Sequence, residues 1–262
     1  MDHGGEQFLA FPTFMIIEAS SRCNLLCPLC LWTHNRNHGQ LSIETFSRFL
    51  ETRGHVLKRV CFSGRGEPTL NPHLYDLLQL SVQAGLITDL ATNGTNLLRD
   101  RDEILESGVD WVNVSIEADT RLDYEKYRIR GDFDEVVSGM EQLAGEKQRR
   151  GLTKPGLRTC SVIFNYNERR LSELKNFYKG LGFESFIFKS AHLGHGQLVE
   201  DEQSLRHKWL PQDATKVRPR YRGDAIGVCS FLKKAHLLWN GNIARCAIDH
   251  EEMIVGNIHR AS

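Results

Sequence analysis

The chain has 262 residues, 40% of them hydrophobic, enough to bury one sizeable core with at most a small appendage. Lysine plus arginine and aspartate plus glutamate both number 33, so the formal net charge is zero, and neither nucleic acid nor an anionic membrane is called for as the main partner. The opening "MDHGGEQFLAFPTFMIIEAS" lacks the cationic start and long apolar core of a signal peptide, and no later apolar run approaches the roughly 20 residues of a membrane span.

Six short segments, rich in β-branched and aromatic residues and bounded by Gly, Asn or Asp, predict strands. They are "FMIIEAS" (14–20), "VLKRVCFSG" (56–64), "LITDLATNG" (86–94), "DWVNVSIEA" (110–118), "LRTCSVIFN" (157–165) and "FESFIFKS" (183–190). Between them, helical spacing predicts helices over 42–53, 73–84, 98–107, 134–149 and 168–180; in the fourth, Phe133, Val136, Val137, Met140 and Leu143 share one face. Six β/α units imply a parallel sheet with right-handed crossovers and functional groups collected at the carboxyl ends of the strands. The expected fold class is α/β, a partial (β/α)6 TIM-like barrel over residues 1–190. Residues 191–228 are polar, lose the alternation and read as a linker, a lid or both. In 229–262 order returns: "HLLWNGNIARC" sets Asn240-Gly241 between two apolar runs, the signal of a small β-hairpin extension.

A cytoplasmic setting is expected, and there seven cysteines read as metal ligands, catalytic thiols or buried side chains rather than a disulfide framework. The stretch "SRCNLLCPLC" places Cys23, Cys27 and Cys30 within eight residues, and Asn24 and Pro28 put it in a loop after the first strand. Three thiols leave a tetrahedral zinc site one ligand short, with His34 as a candidate fourth. The alternative is an iron–sulfur cubane, whose irons take cysteine thiolates and whose fourth iron stays open to an outside ligand.

Four motifs together resemble the radical S-adenosylmethionine (radical SAM) enzymes: "CNLLCPLC" after the first strand, "FSGRGEPTLNP" after the second, "ATNGT" ending the third, and "VNVSIEADTRLDYEKYRIRG" running from the fourth. The resemblance implies a [4Fe–4S] cluster on Cys23, Cys27 and Cys30, with S-adenosylmethionine on the open iron. It implies Leu29 against the adenine and Gly64 and Gly66 where the backbone approaches the methionine end. Glu67 and nearby carbonyls would accept from the ammonium, and Thr92 and Asn93, with Gly94, would lie near the ribose or adenine. Ser115 would add a hydroxyl, and Arg130 would pair with the carboxylate, with Arg128 as the competing choice. Two departures stand out: Arg65 inserts a bulky cation into "SGRGEP", and "SIEAD" leaves Glu117 or Asp119 as the equivalent of a frequent aspartate.

The segment "CSFLKKAHLLWNGNIARCAIDHEEMIVGNI" resembles the opening of a SPASM or shorter Twitch extension, which implies Cys229 and Cys246 as ligands of an auxiliary iron–sulfur cluster. Two thiolates do not hold a cubane alone, so another ligand comes from elsewhere or the second site has lapsed. Of the histidines, His192 and His195 follow the sixth strand, where a substrate base could sit; His34 and His38 read as solvated loop residues, and Cys61 and Cys160 as buried apolar side chains.

The resemblance implies reductive cleavage of S-adenosylmethionine to a 5′-deoxyadenosyl radical that abstracts a substrate hydrogen, with flavodoxin or ferredoxin as electron donor. The expected substrate is a small molecule such as a sugar or cyclitol, oxidised or rearranged; the alternative is a ribosomal peptide. A reading of another class is a zinc-stabilised binding module or an inactive family member.

Overall fold

The computed structural model describes residues 12–30, 38–191, 202–216, 235–245 and 254–260. Six strands, β1 (Phe14–Ile17), β2 (Arg59–Phe62), β3 (Ile87–Thr92), β4 (Trp111–Ser115), β5 (Gly156–Ile163) and β6 (Ser185–Ser190), lie parallel and in chain order. They alternate with helices α1 (Ile43–Arg53), α2 (Leu74–Gln83), α3 (Arg101–Glu106), α4 (Arg121–Tyr127), α5 (Phe133–Arg149) and α6 (Leu171–Gly180). The predicted α/β fold is observed, and the sheet does not close on itself.

Alternation along each strand decides what faces where. Met15 and Ile17, Val60 and Phe62, Leu90, Val112 and Val114, and Leu157 are buried and share one core with Phe46 and Phe49 of α1, Leu77 and Leu78 of α2, Ile104 of α3, Met140 and Leu143 of α5 and Leu174 of α6. Period-two alternation turns the intervening residues to the opposite, concave face, where side chains are mostly half-buried. The register stacks these in rows: Cys61, Asp89, Trp111 and Gly156; then Ala91, Asn113, Arg158 and Ser185; then Ser115, Cys160 and Ile187. Cys61 and Cys160 are thus half-buried on the concave face, not in the apolar core, because they alternate with Val60, Phe62, Thr159 and Ser161.

Helix starts follow their capping residues. Ser42 Oγ accepts from the Thr45 amide at α1, and Asp132 accepts from the amides of Asp134 and Glu135 at α5, each worth about 1 kcal/mol. Helix α4 lies beyond the five predicted helices: only Tyr124 of its seven residues is buried, too little to print a helical period. Within the polar stretch read as linker or lid, Glu202–Trp209 form α7. Leu205, Trp209 and Leu210 there pack with Leu29, Phe164 and Ala191 in a second apolar cluster.

The predicted hairpin forms from β7 (Ala235–Leu237) and β8 (Asn242–Ala244), with Gly241 at φ 81° in its turn. Strand β7 pairs parallel with the edge of β1 opposite β2, and β8 and β9 (Ile254–Asn257) follow antiparallel, giving among the described residues one nine-stranded sheet with β6 and β9 at its edges. Among the described residues no helix is long and apolar enough to cross a membrane.

Phe62 is fully buried and meets Phe46 edge-on at 5.6 Å. Phe62→Ala is expected to cost about 3–5 kcal/mol in urea unfolding, whereas Leu122→Ala, at a side chain 81% exposed, should stay within about 0.5 kcal/mol. Equal costs for the two would contradict this assignment of the core.

Candidate metal centre and cofactor site

The loop carrying Cys23, Cys27 and Cys30 leaves the carboxyl end of β1 and is tied down from several sides. The Cys30 amide donates to the Cys27 carbonyl at 3.0 Å, closing a turn, and the Leu26 amide donates to the Ile129 carbonyl at 3.0 Å, fixing the loop to the α4–α5 connection. Ser21 Oγ accepts from the Gly39 amide at 2.8 Å and pins the loop's entry, and His38 Nδ1 lies 3.3 Å from the Ser21 carbonyl. Cys23 is exposed, Cys30 half-buried and Cys27 buried. Burial pushes the Cys27 thiol up to about 11, against the opposing pull of the Arg128 guanidinium, and pushes the Cys23 thiol up as well.

Donors point at these sulfurs. The Leu25 amide approaches Cys23 Sγ at 3.4 Å and Asn93 Nδ2 at 3.9 Å, and Arg128 Nη1 approaches Cys27 Sγ at 3.8 Å. Such donors suit thiolates, the form that binds metal. Among the described residues no three His, Cys, Asp or Glu side chains converge as one metal ion requires; a cubane, with four irons, spreads its thiolates more widely. Three thiols with amide and guanidinium donors around them fit an iron–sulfur cluster, whose irons take cysteine thiolates.

Asn93 spends its amide on the loop. Its Oδ1 accepts from Thr95 N and Oγ1 at 3.0 and 2.8 Å, and its Nδ2 donates to Asn24 Oδ1 at 2.9 Å, while Asn24 Nδ2 donates to Thr95 Oγ1 at 2.8 Å. Glu67, 2% exposed, is equally committed. Its Oε1 accepts from Thr69 N (3.1 Å), Thr69 Oγ1 (2.7 Å) and Thr92 Oγ1 (2.7 Å), and its Oε2 from Asn93 N (2.7 Å). Burial pushes its carboxyl up, and these hydrogen bonds oppose the shift. Gly66 has no room for a side chain: a Cβ there would meet the Ser20 and Arg22 carbonyl oxygens at 2.3 and 2.4 Å, so this glycine lets the chain after β2 press on the cluster loop. Gly64 sits at φ 139° against Glu18. Arg65 turns inward and pairs with Glu18 at 2.6 and 3.2 Å, a direction the sequence left open.

The two arginines in "YRIRG" separate sharply. Arg130 is exposed, sits at φ 72° and makes no hydrogen bond or ion pair among the described residues. Arg128 is largely buried, and its Nε and Nη2 clasp both oxygens of Glu117 at 2.7 and 2.6 Å. Burial works against its charge, but Glu117 and Cys27 outweigh burial and hold it protonated. The structure thus places the competing choice, Arg128, at the cluster loop. Asp119 is taken by Arg170 at 2.6 Å, which leaves Glu117 as the acid beside the site.

Ser115 is half-buried on the concave face beside Cys160. Leu29 is buried against Phe164 and Trp209 rather than open to the mouth. His34, His192, His195, Cys229 and Cys246 lie outside the described residues. The sequence reading missed the Asn24–Asn93–Thr95 network; a polar residue directly after the first cysteine was its only trace.

The profile of the Radical SAM superfamily matches residues 17–177. The chain belongs to that superfamily. Its curated relatives include a tungsten-containing aldehyde ferredoxin oxidoreductase cofactor-modifying protein of Pyrococcus furiosus, 28% identical over 89% of this chain and 70% of the relative. They also include the GTP 3′,8-cyclase of Agrobacterium fabrum, 26% identical over 76% of this chain but 57% of the cyclase. Among solved structures, Streptococcus suis SuiB bound to S-adenosylmethionine superposes with a TM-score of 0.70 at 15% identity, over 91% of this chain and 61% of SuiB. Bound to its precursor peptide SuiA, it gives 0.71 at 15% identity over 97% and 64%. The chain thus spans less than two thirds of the cyclase and of SuiB. Radical SAM proteins use a [4Fe–4S] cluster and S-adenosylmethionine, and the three thiols with their amide and guanidinium donors suit the cluster.

Removing one partner of a buried ion pair strands the other, whereas replacing both is far cheaper. Arg128→Met is expected to destabilise the metal-free protein by about 3–5 kcal/mol, and adding Glu117→Leu should recover most of that loss in urea unfolding. A double variant no more stable than the single one would show that the two charges are not coupled.

Proposed function

We propose that this chain holds a [4Fe–4S] cluster on Cys23, Cys27 and Cys30 and reductively cleaves S-adenosylmethionine, with a small molecule as the substrate that is oxidised or rearranged. The observation that carries this reading is the three-thiol loop at the end of β1, with Asn93 and Arg128 donating toward Cys23 and Cys27. Bound there, cluster and cofactor would supply one electron and a 5′-deoxyadenosyl radical that abstracts a substrate hydrogen, a flavodoxin or ferredoxin being the electron source.

The protein's own part is positioning. Glu67 and Asn93 hold the loop, Gly66 lets the chain after β2 pack against it, and Arg128 brings a cation to its buried side. Arg128 keeps Nη1 outside its clasp on Glu117, so in this reading it, rather than Arg130, meets the carboxylate of S-adenosylmethionine. Ser115 offers a hydroxyl on the concave wall. A compact substrate is supported by α7: the Trp209 carbonyl accepts from Asn165 N at 3.1 Å, and Asn165 Nδ2 donates to the Lys208 carbonyl at 2.8 Å. These bonds strap the helix beside the end of β5 and wall that side of the mouth. The P. furiosus and A. fabrum relatives, named for a cofactor and for GTP, also suit a small molecule.

A peptide substrate is the second reading, supported by the likeness to SuiB with its precursor peptide over 97% of this chain. An auxiliary cluster at Cys229 and Cys246 remains part of the proposal. Antiparallel pairing of His236 with Ala244 brings the two described flanks of the hairpin side by side, at the amino-terminal end of β1 and away from the Cys23 loop.

Anaerobic reconstitution is expected to give a brown protein with about four irons per chain, or about eight with a second cluster, and 5′-deoxyadenosine on reduction with dithionite or flavodoxin. Replacing Cys23, Cys27 and Cys30 with alanine should remove the first cluster. A colourless protein that takes up stoichiometric zinc and no iron would overturn the reading in favour of a binding module.

A further inference from the structure

The concave wall sorts its charges unevenly. Four arginines of the strands and the mouth each pair with a carboxylate: Arg65 with Glu18, Arg59 with Asp89, Arg128 with Glu117, and Arg170 with Asp119. Arg158 on β5 differs from these four and from the exposed Arg130: it is half-buried, and among the described residues no acid lies within ion-pair distance of it. Asp89, one row away, is already bound at Oδ2 by Arg59 Nε and Nη2 at 2.8 and 2.6 Å.

Arg158 is nevertheless held in place. Its guanidinium lies 4.1 Å from the centroid of the Trp111 ring, Nε donates to Ser185 Oγ at 3.2 Å, and Nη1 donates to Asn113 Oδ1 at 3.3 Å. The support beneath it is built in turn. Gly156 pairs with Trp111 across the sheet, and a Cβ there would stand 2.6 Å from the indole, so only glycine leaves the ring its place under the cation. Nη2 has no acceptor among the described residues. The side chain is half-buried, and its row is otherwise short: Ala91, Asn113 and Ser185. Asp89 lies near enough to feel the Arg158 charge, but that one carboxylate is shared with Arg59, so two guanidiniums face a single negative charge and a net positive charge is left on a half-desolvated wall; an anion from outside would balance it.

We propose that Arg158 anchors an anionic group of the substrate, a phosphate or a carboxylate, on the concave face one row below Ser115. The assignment rests on the reading that substrate enters this barrel. The planar guanidinium presents its remaining N–H groups as a fork suited to two oxygens of one anion, and Trp111, Asn113 and Ser185 hold that fork rigid. Lys189 on β6, two rows nearer the mouth on the same face, adds a second cation that pairs with no acid among the described residues. The substrate class that fits is a phosphorylated or carboxylated small molecule rather than a neutral sugar.

The test is calorimetric titration of the reconstituted protein with inorganic pyrophosphate in one arm and malonate in the other. At least one probe should bind saturably, one per chain, and the arm that binds more tightly names the anion. Arg158→Gln should weaken that binding about tenfold or more, with iron content and melting temperature close to wild type. Arg158→Lys keeps the charge but not the fork, and should weaken binding severalfold; it also serves if the glutamine variant does not fold. Trp111→Phe keeps a ring under the cation and should retain most of the affinity. Failure of both probes to bind saturably, or equal affinity in wild type and both Arg158 variants, overturns the proposal. A protein that holds iron and releases 5′-deoxyadenosine yet binds neither probe would overturn this inference while leaving the proposed chemistry intact.

Discussion

A carboxylate with no room for error sits under the whole site. Glu67 is cut off from water and carries four hydrogen bonds, which together join the turn after β2 to the end of β3. Its own amide donates to the Arg22 carbonyl at 2.7 Å, directly beside Cys23. A buried carboxylate stays only where its lone pairs are met, so the Thr69, Thr92 and Asn93 positions are fixed by the cost of leaving it unsatisfied. Asn93, held at its amide by Glu67, can then spend its side chain on Asn24 and on the Cys23 sulfur. The order of dependence runs from an acid through an amide to a cysteine sulfur.

The elements best read from sequence are those with strong period. All six parallel strands and the five predicted helices are present; β1, β2, β4 and β5 bury alternate residues and each of these helices buries part of one face. Helices α4 and α7 escaped because their burial is local: one tyrosine in α4, and in α7 a few apolar residues within a charged stretch. That the hairpin would join the edge of β1 was also invisible, since strand pairing across more than 200 residues leaves no short-range mark.

At the site, spacing told which residues gather but not what each one touches. The three cysteines share one loop, and Glu67, Thr92 and Asn93 meet beside it, as their positions at strand ends implied. Their hydrogen bonds are spent on the protein itself, a distinction that depends on geometry and not on residue type. "YRIRG" offered two arginines two positions apart; a left-handed backbone at the second turns it outward, and Glu117 captures the first. Cys61 and Cys160 were misread for a simpler reason. Cysteine composition says buried, but strand parity turned both to the hollow of the barrel.

The pairing of β7 with β1 reaches further than the hairpin. The Glu18 amide donates to the Leu237 carbonyl at 2.9 Å, so the strand that launches the cluster loop has neighbours on both sides. An edge strand with bare amides and carbonyls invites pairing with another chain. By occupying that edge, the C-terminal segment shields the cluster strand from intermolecular contact. Among the described residues the outer edge on this side is β9, whose exposed Ile254 and Val255 stand three strands from β1. Pairing at that outer edge would leave the Cys23 loop untouched.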